Sequence, residues 1–516
     1  MAGKTVRAVA GVATVVFLSK VLGLGREIVI ADRFGTSSEY DLYLVAVMIP
    51  ALAYGVINFA TYNLLVPHLT RLFESDGRTE ADHWHSAWTL FNKWMLTAAV
   101  VTGLIILAAP ILLPLWSRGH LSTEFDRILF YTRVTAIIAM LGTSEAFLRA
   151  ILNTRRIFTY PSGSYIVDNL INITAVIFLA QFFSVGAAVI GLVVGSFAQN
   201  VYLGARVARL GGLKFYSFSL REKTLRMLLP TAGLLVVIEL LNRSYFLVDR
   251  YIAARFGEGI ISALNYSQVL VQLPDAIVGF AIATVVFPMF SSIDHEDDPE
   301  RFGRIYRFAV TGGLLIALPI ALFFYFNAQD IVHVIFLRGV FDSTSLDLTT
   351  QLLEPYCPTI VALFIISTSV RACYAKGWAR SVLFITIAGY GVKIAGTILL
   401  PRWFGFSGIS LATSASMLTM AAGLLIFCLR KSREGMNPEF RRTVWRLIGM
   451  GLVLGMALVY VSQFEQGLES DSSWLEAAER LAVSGVITAG LYSVLMFLFG
   501  FGSYLRRLRG IPADVR

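Results

Sequence analysis

Charge is what this sequence has least of. Only 15% of its 516 residues are Asp, Glu, Lys or Arg and 56% are apolar, whereas a soluble globular protein carries about 25% charged residues. With a mean hydropathy of +0.69, that scarcity excludes an ordinary soluble protein and leaves a polytopic membrane protein. Cysteine is scarcer still. Cys357, Cys373 and Cys428 lie in or beside apolar segments without ligand-like spacing, so they read as packed apolar thiols. Histidine supplies no ligand set either. His83 and His85 of "DHWHSAW" stand two apart, where a helical metal site wants three or four, and they fit the amphipathic start of a span. "DHEDDPERFGR" lacks the glycine and terminal Glu spacing of a calcium loop. No concentrated set of catalytic side chains stands at one water interface, so neither an enzyme nor a bound metal or cofactor is expected.

Long apolar runs are what the chain has in abundance. Stretches of about 20 residues can cross a bilayer, and they fall near 8–32, 42–66, 86–113, 128–150, 162–183, 185–208, 227–253, 260–290, 306–326, 353–375, 380–400, 405–429, 445–463 and 480–502. The first is too long for a signal-peptide core and has no small-residue cleavage site. Fourteen spans place both termini on one side. Alternate connections carry Arg71 and Arg78; Arg155 and Arg156; Arg206, Arg209, Lys214, Arg221 and Lys223; Arg301 and Arg304; Lys376 and Arg380; Arg430, Lys431, Arg433, Arg441 and Arg442; and the tail Arg506, Arg507 and Arg509. The other connections are poor in cations, and "SQFEQGLESDSSWLEAAER" is mostly acidic. The positive-inside rule then makes both termini cytoplasmic. The net charge of +9 reflects orientation in a membrane, and no nucleic-acid partner is expected.

A repeat runs through the chain. "DRFG" ends at Gly35 and "ARFG" at Gly257, 222 positions later. Arg149 of "LRAILN" and Arg371 of "VRACYA", and Gly186 of "SVGAAVIG" and Gly408 of "FSGISLAT", keep the same offset. Pro67 with Pro288 and Arg118 with Arg338 follow at 221 and 220. Each copy holds six spans, so the repeat is parallel. The expected architecture is all-α: residues 1–220 as a first six-helix lobe, 221–440 as a second, and 441–516 as two extra C-terminal helices with a basic tail. Two such bundles with a midplane site are the design of an alternating-access transporter.

The motifs resemble those of the lipid II flippases (MurJ, also called MviN), a family within the multidrug, oligosaccharidyl-lipid and polysaccharide exporters. The resemblance rests on "SKVLGLGREIVIADRFG" followed by "YDLYLVAVMIP", then "LVPHLTRLFE", "RAILNTRRIFTYP", "LPDAIVGFAIATVVFPMFS", "FLRGVFDSTS", "RACYAKGWARS" and "GISLATS". They occur in family order over about 430 residues. The resemblance implies a V-shaped cavity between lobes, opened alternately to cytoplasm and periplasm, in which a polyprenyl-diphosphate-linked saccharide is turned over. It implies a bacterial inner-membrane location, a groove for the polyprenyl tail on spans 13 and 14, membrane lipids and envelope-synthesis enzymes as neighbours, and a monomer. Lys20 and Arg26 match the two basic positions of the family's first helix, with Lys replacing the usual Arg. Asp41 and Pro50 match the start of its second. Beyond Pro50 the family's arginine pair and Glu give way to "ALAYGVINFA", with Asn58 near the acidic position, and in the eighth helix Gln268 and Val269 replace Asp and Arg. Another lipid-linked saccharide, such as an exopolysaccharide or O-antigen unit, therefore stands beside lipid II. A cation-coupled multidrug exporter and a non-transporting scaffold for envelope synthesis remain as alternative functions.

The candidate site follows from charges placed in apolar spans. A cation at the centre of a membrane helix costs roughly 2.5–3.5 kcal/mol on insertion scales. Lys20 and Arg26 sit in the first span, where Gly23 and Gly25 would allow a kink or local unwinding that aims them inward. An Arg fork and a Lys point charge suit a diphosphate. Snorkelling or a structural pair with Glu27 is the competing reading. Glu239 and Arg243, four apart on one face of the seventh span, read as an internal ion pair or as a replacement head-group cation. Arg149 and Arg371 read as anchors at repeat-related cytoplasmic ends. Asp41, Glu145, Glu239 and Asp275 are the coupling or gating carboxylates, with Asp168 and Lys393 also at depth, for transport driven by Na+, H+ or the membrane potential. Pro50, Pro67, Pro230, Pro274 and Pro288 supply bends for gating or are ordinary membrane-helix prolines. The second repeat copy, "FLVDRYIAARFG", has no counterpart at the Lys20 and Arg26 positions.

Overall fold

A computed structural model of the chain describes residues 2–74, 79–117, 121–215, 224–275, 290, 298–432, 435–465 and 473–501. Arg78, Arg118, Arg221, Lys223, Pro288, Arg433 and the tail arginines lie outside these residues, as does most of "LPDAIVGFAIATVVFPMFS". Within the described residues the chain is helical throughout and forms no strand. The helices are α1 (Ala2–Phe34), α2 (Ser38–Glu74), α3 (Glu80–Leu112), α4 (Phe125–Thr135), α5 (Ile138–Thr154), α6 (Thr159–Phe183), α7 (Gly186–Arg209), α8 (Thr224–Ala253) and α9 (Ile260–Pro274). They continue as α10 (Pro299–Phe326), α11 (Ala328–Phe336), α12 (Ser343–Tyr356), α13 (Pro358–Ala375), α14 (Ala379–Leu399), α15 (Pro401–Phe404), α16 (Ser407–Lys431), α17 (Pro438–Glu465) and α18 (Trp474–Leu498). Helices dominate because a lipid-embedded backbone must satisfy its own hydrogen bonds.

Eleven of the described segments are long and apolar enough to cross a membrane. The expected count of fourteen is not reached by that measure. The helices α1 and α8, at 33 and 30 residues, are also of membrane-crossing length, and the expected span 260–290 falls half outside the described residues. Two expected spans are each built from two helices. The fourth breaks between α4 and α5 at Ala136 and Ile137, and the tenth breaks between α12 and α13 at Cys357.

The repeat is visible in backbone conformation. Gly35, directly after α1, and Gly257, in the turn after α8, both have positive φ, 54° and 113°, a region open to glycine without strain. The next such pair is Arg156 at φ 59° and Gly377 at φ 73°. The breaks at Ala136 and Cys357 keep the same spacing.

The chain divides into two compact units, Met1–Ser262 with Arg338–Phe341, and Ala263–Leu337 with Asp342–Arg516. In the first, α2 packs against α4, α5 and α8, while α6 packs against α1 and α7. Its core joins Leu65, Trp88, Phe147, Ile151, Leu203 and Val207. The segment Arg338–Phe341 closes onto the end of α1, where the Val340 amide donates to the Asp32 carbonyl at 2.9 Å. In the second unit α16 packs against α12, α13 and α14, and α10 against α13 and α17. Its core joins Phe302, Tyr306, Ala372, Leu424, Cys373 and Cys428. All three thiols are buried and unoxidised, as packed apolar thiols should be. On α18, Leu475, Val486, Phe497 and Leu498 are exposed, as expected for a helix face solvated by lipid.

Candidate functional site

The α1 cations occupy an unbroken helix. No local unwinding occurs at Gly23 and Gly25, since α1 is helical without interruption from Ala2 to Phe34. Asn169 of α6 lies beside Gly23, and the Asn169 amide donates to the Ser19 carbonyl at 3.3 Å. Small residues serve such approaches between membrane helices. On this rod Lys20 is exposed and makes no ion pair among the described residues. Arg26 keeps 31% of its side chain exposed and pairs with Glu27 at 2.8 Å. Glu27 in turn accepts from the Tyr40 hydroxyl at 3.3 Å. Asp168 lies within electrostatic reach of Arg26 and is held by the Asn172 amide at 3.1 Å. Arg26 is thus a fork held by Glu27 with part of its surface exposed, and Lys20 an exposed point charge about one and a half turns away.

Glu239 and Arg243 form the pair expected from their spacing. Glu239 is buried and Arg243 is exposed over 45% of its side chain, so this arginine is neither sealed in a core nor stripped of its partner. It lies across Gly55 of α2, where any Cβ would meet the guanidinium. Gly55→Leu is therefore expected to push Arg243 off α2 at an overpacking cost of about 1–3 kcal/mol. The lowered thermal midpoint should recover when Arg243→Ala is added, and a melting series of the two single variants and the double variant checks this.

Asp41 and Glu145 are enclosed. Asp41 is fully buried and binds the start of α9, accepting from the Gly259 and Ser262 amides at 2.8 Å each and from the Ser262 hydroxyl at 2.5 Å. Glu145 accepts from the Tyr54 hydroxyl at 2.6 Å and the Gln199 amide at 3.0 Å, and pairs with Arg149 at 3.0 Å. Reading Arg149 as an interfacial anchor is thereby corrected. It is 8% exposed and bonded to the Tyr165 hydroxyl, the Pro161 carbonyl and Ser164. Glu145 and Arg149 stand one helical turn apart on the inner face of α5, so each lowers the cost of burying the other.

In the second unit Asp275 accepts from the Ser367 hydroxyl at 3.1 Å, and Arg371 donates to the Ser367 carbonyl at 2.9 Å. Lys393 is fully buried on α14 and donates to the Thr413 hydroxyl of α16. Pro50 and Pro67 lie inside continuous α2. Asn58 donates to the Gly142 carbonyl at 3.2 Å, a structural contact where the family places an acid.

One cation was not nominated from the sequence. Arg250, near the end of α8, donates to the Leu44 carbonyl of α2 at 2.8 Å and lies 5.2 Å from the Phe246 ring. An arginine inside an apolar span was signal enough, but the repeat was read in register, and Arg250 falls two positions past the equivalent of Arg26.

The family model described as "Lipid II flippase MurJ" matches residues 30–475. The lipid II flippase MurJ of Burkholderia cenocepacia is 23% identical over 97% of this chain and 99% of its own length. The probable lipid II flippase MurJ of Thermotoga maritima is 24% identical over 95% and 96%. Among solved structures, a lipid II flippase MurJ in an inward closed conformation superposes with TM-score 0.77 at 18% identity, covering 95% of this chain and 98% of that one. An inward-facing multidrug resistance MATE family transporter of the MOP superfamily superposes with TM-score 0.67 at 14% identity, over 83% and 99%.

Proposed function

The chain belongs to the lipid II flippase MurJ family, and from that membership we propose that it carries lipid II, or a closely related polyprenyl-diphosphate-linked saccharide, from the cytoplasmic to the periplasmic leaflet. It is a multi-pass bacterial inner-membrane transporter and not an enzyme. The observation that carries the substrate assignment is the pair of α1 cations that keep exposed surface, exposed Lys20 and partly exposed Arg26. Their fork and point charge suit the two phosphates of such a lipid. An exporter of cationic drugs would be ill served by them, and its support is a likeness of fold at 14% identity.

In this reading the α1 cations capture the head group while the polyprenyl tail stays in lipid, and alternating exposure of that cationic face moves the diphosphate across. Both termini are cytoplasmic, and the protein acts as a monomer beside envelope-synthesis enzymes. The driving force is a Na+ or H+ gradient or the membrane potential. Of the carboxylates available for coupling, Asp41, Glu145, Glu239 and Asp275 would each have to give up bonds described above.

The test is replacement. In a strain depleted of its own lipid II flippase, the wild-type chain is expected to sustain growth and peptidoglycan synthesis. Failure of the wild type, with the protein present in the inner membrane at normal level, overturns the lipid II assignment.

A further inference from the structure

Arg250 stands in an unusual position for a membrane arginine. Asp249 beside it is 1% exposed, whereas Arg250 is partly exposed and makes no salt bridge among the described residues. A guanidinium has five N–H donors. One goes to the Leu44 carbonyl, and the Phe246 ring faces the charge. A partly exposed guanidinium fixed by a carbonyl and a ring, with donors to spare, is prepared for a bidentate oxyanion.

Its surroundings continue the α1 site. Tyr43 precedes the Leu44 carbonyl that Arg250 holds, is itself partly exposed, and stacks on Tyr40 with ring centroids 5.8 Å apart. Tyr40 donates to Glu27, the partner of Arg26. Arg26 and Arg250 both act electrostatically on the Tyr43 hydroxyl. Glu27 and Asp168 act on Arg26, and Asp249 and Asp41 act on Arg250, but among the described residues no carboxylate is bonded to the Arg250 guanidinium, which keeps N–H donors to spare beside the Tyr43 hydroxyl. Arg26, Tyr40, Tyr43 and Arg250 stand toward the same end of the first unit, near the Phe34–Ser38 turn, whereas Lys20 lies about one and a half turns from Arg26 along α1.

Building on the flippase reading, we propose that Arg250, the Tyr43 hydroxyl and Arg26 form a second diphosphate station in the first unit. Lys20 and Arg26 engage the diphosphate first, and Arg250 and Tyr43 receive it next, with Arg26 shared between the two. The cation set thus spans two repeat copies, α1 and α8, where the sequence in register showed one.

The full chain in nanodiscs, probed with undecaprenyl diphosphate and with phosphatidylglycerol as the comparison anion, tests this. Arg250→Gln is expected to weaken undecaprenyl diphosphate binding about tenfold or more, with phosphatidylglycerol binding unchanged and the thermal midpoint within a few degrees of wild type. Arg250→Lys, which keeps charge but loses the fork, should fall between. Tyr43→Phe should give a smaller loss in the same direction. Wild-type affinity in Arg250→Gln, or a loss that tracks a lowered midpoint and strikes both lipids equally, overturns the station. If Lys20→Ala/Arg26→Ala abolishes binding while Arg250→Gln does not, this inference fails and the flippase reading stands. If the wild type does not bind undecaprenyl diphosphate, both fail.

Discussion

Arg149→Ala is expected to destabilise the first unit by about 3–5 kcal/mol, the cost of breaking a buried ion pair and stranding one partner. The stranded group is Glu145, 1% exposed, which would keep its bonds to Tyr54 and Gln199 but lose its cation. The pair's net worth is far smaller than that figure, because both charges were desolvated to make it. Glu145→Gln/Arg149→Gln, which removes both charges and keeps polar atoms in place, should therefore recover most of the loss. Melting of the four proteins in detergent, arranged as a double-mutant cycle, measures the coupling. Additive losses would mean that Glu145 and Arg149 do not act as a pair.

The second large effect is expected at Asp41. Removing its carboxylate leaves the Gly259 and Ser262 amides and the Ser262 hydroxyl without their buried acceptor. Each unsatisfied donor costs about 1–3 kcal/mol, so Asp41→Ala should be among the most damaging single changes in the chain. Asp41→Asn separates charge from geometry. It keeps one acceptor for Ser262 but turns an NH2 toward the Gly259 amide, so it should lose roughly one donor's worth of stability. A gating carboxylate that works by protonation would behave differently, with Asp41→Asn stable and locked in one transport state. Hydrogen exchange at the Gly259 and Ser262 amides reports which occurs, faster exchange in Asp41→Asn being the result expected here.

These residues show which parts of the molecule were legible in the sequence. The helical class, the family and the repeat came from local signals: apolar runs, motif order and glycines that recur at a fixed offset. Gly35 and Gly257 do share positive φ, a conformation that glycine supplies in the turns after α1 and α8. The Glu239–Arg243 pair was legible from its spacing. Glu145 and Arg149 have that spacing too, but a cation near a basic loop also fits the positive-inside pattern, and the anchor reading hid the buried pair. The part played by Asp41 was not legible, since its partners lie more than two hundred residues away and nothing local announces them. Arg250 escaped because the repeat was compared position by position, whereas a long side chain reaches its site from a neighbouring register.

The central claim is that the α1 cations of this chain carry the substrate head group. Reconstituted into proteoliposomes with lipid II, the wild type should move the lipid between leaflets, and Lys20→Ala/Arg26→Ala should not. Two charge-assisted contacts at about 1.5–3 kcal/mol each correspond to a loss of more than a hundredfold, which brings the rate to that of protein-free vesicles. A double variant that is inserted and thermally intact, yet flips lipid II at the wild-type rate, would contradict the account.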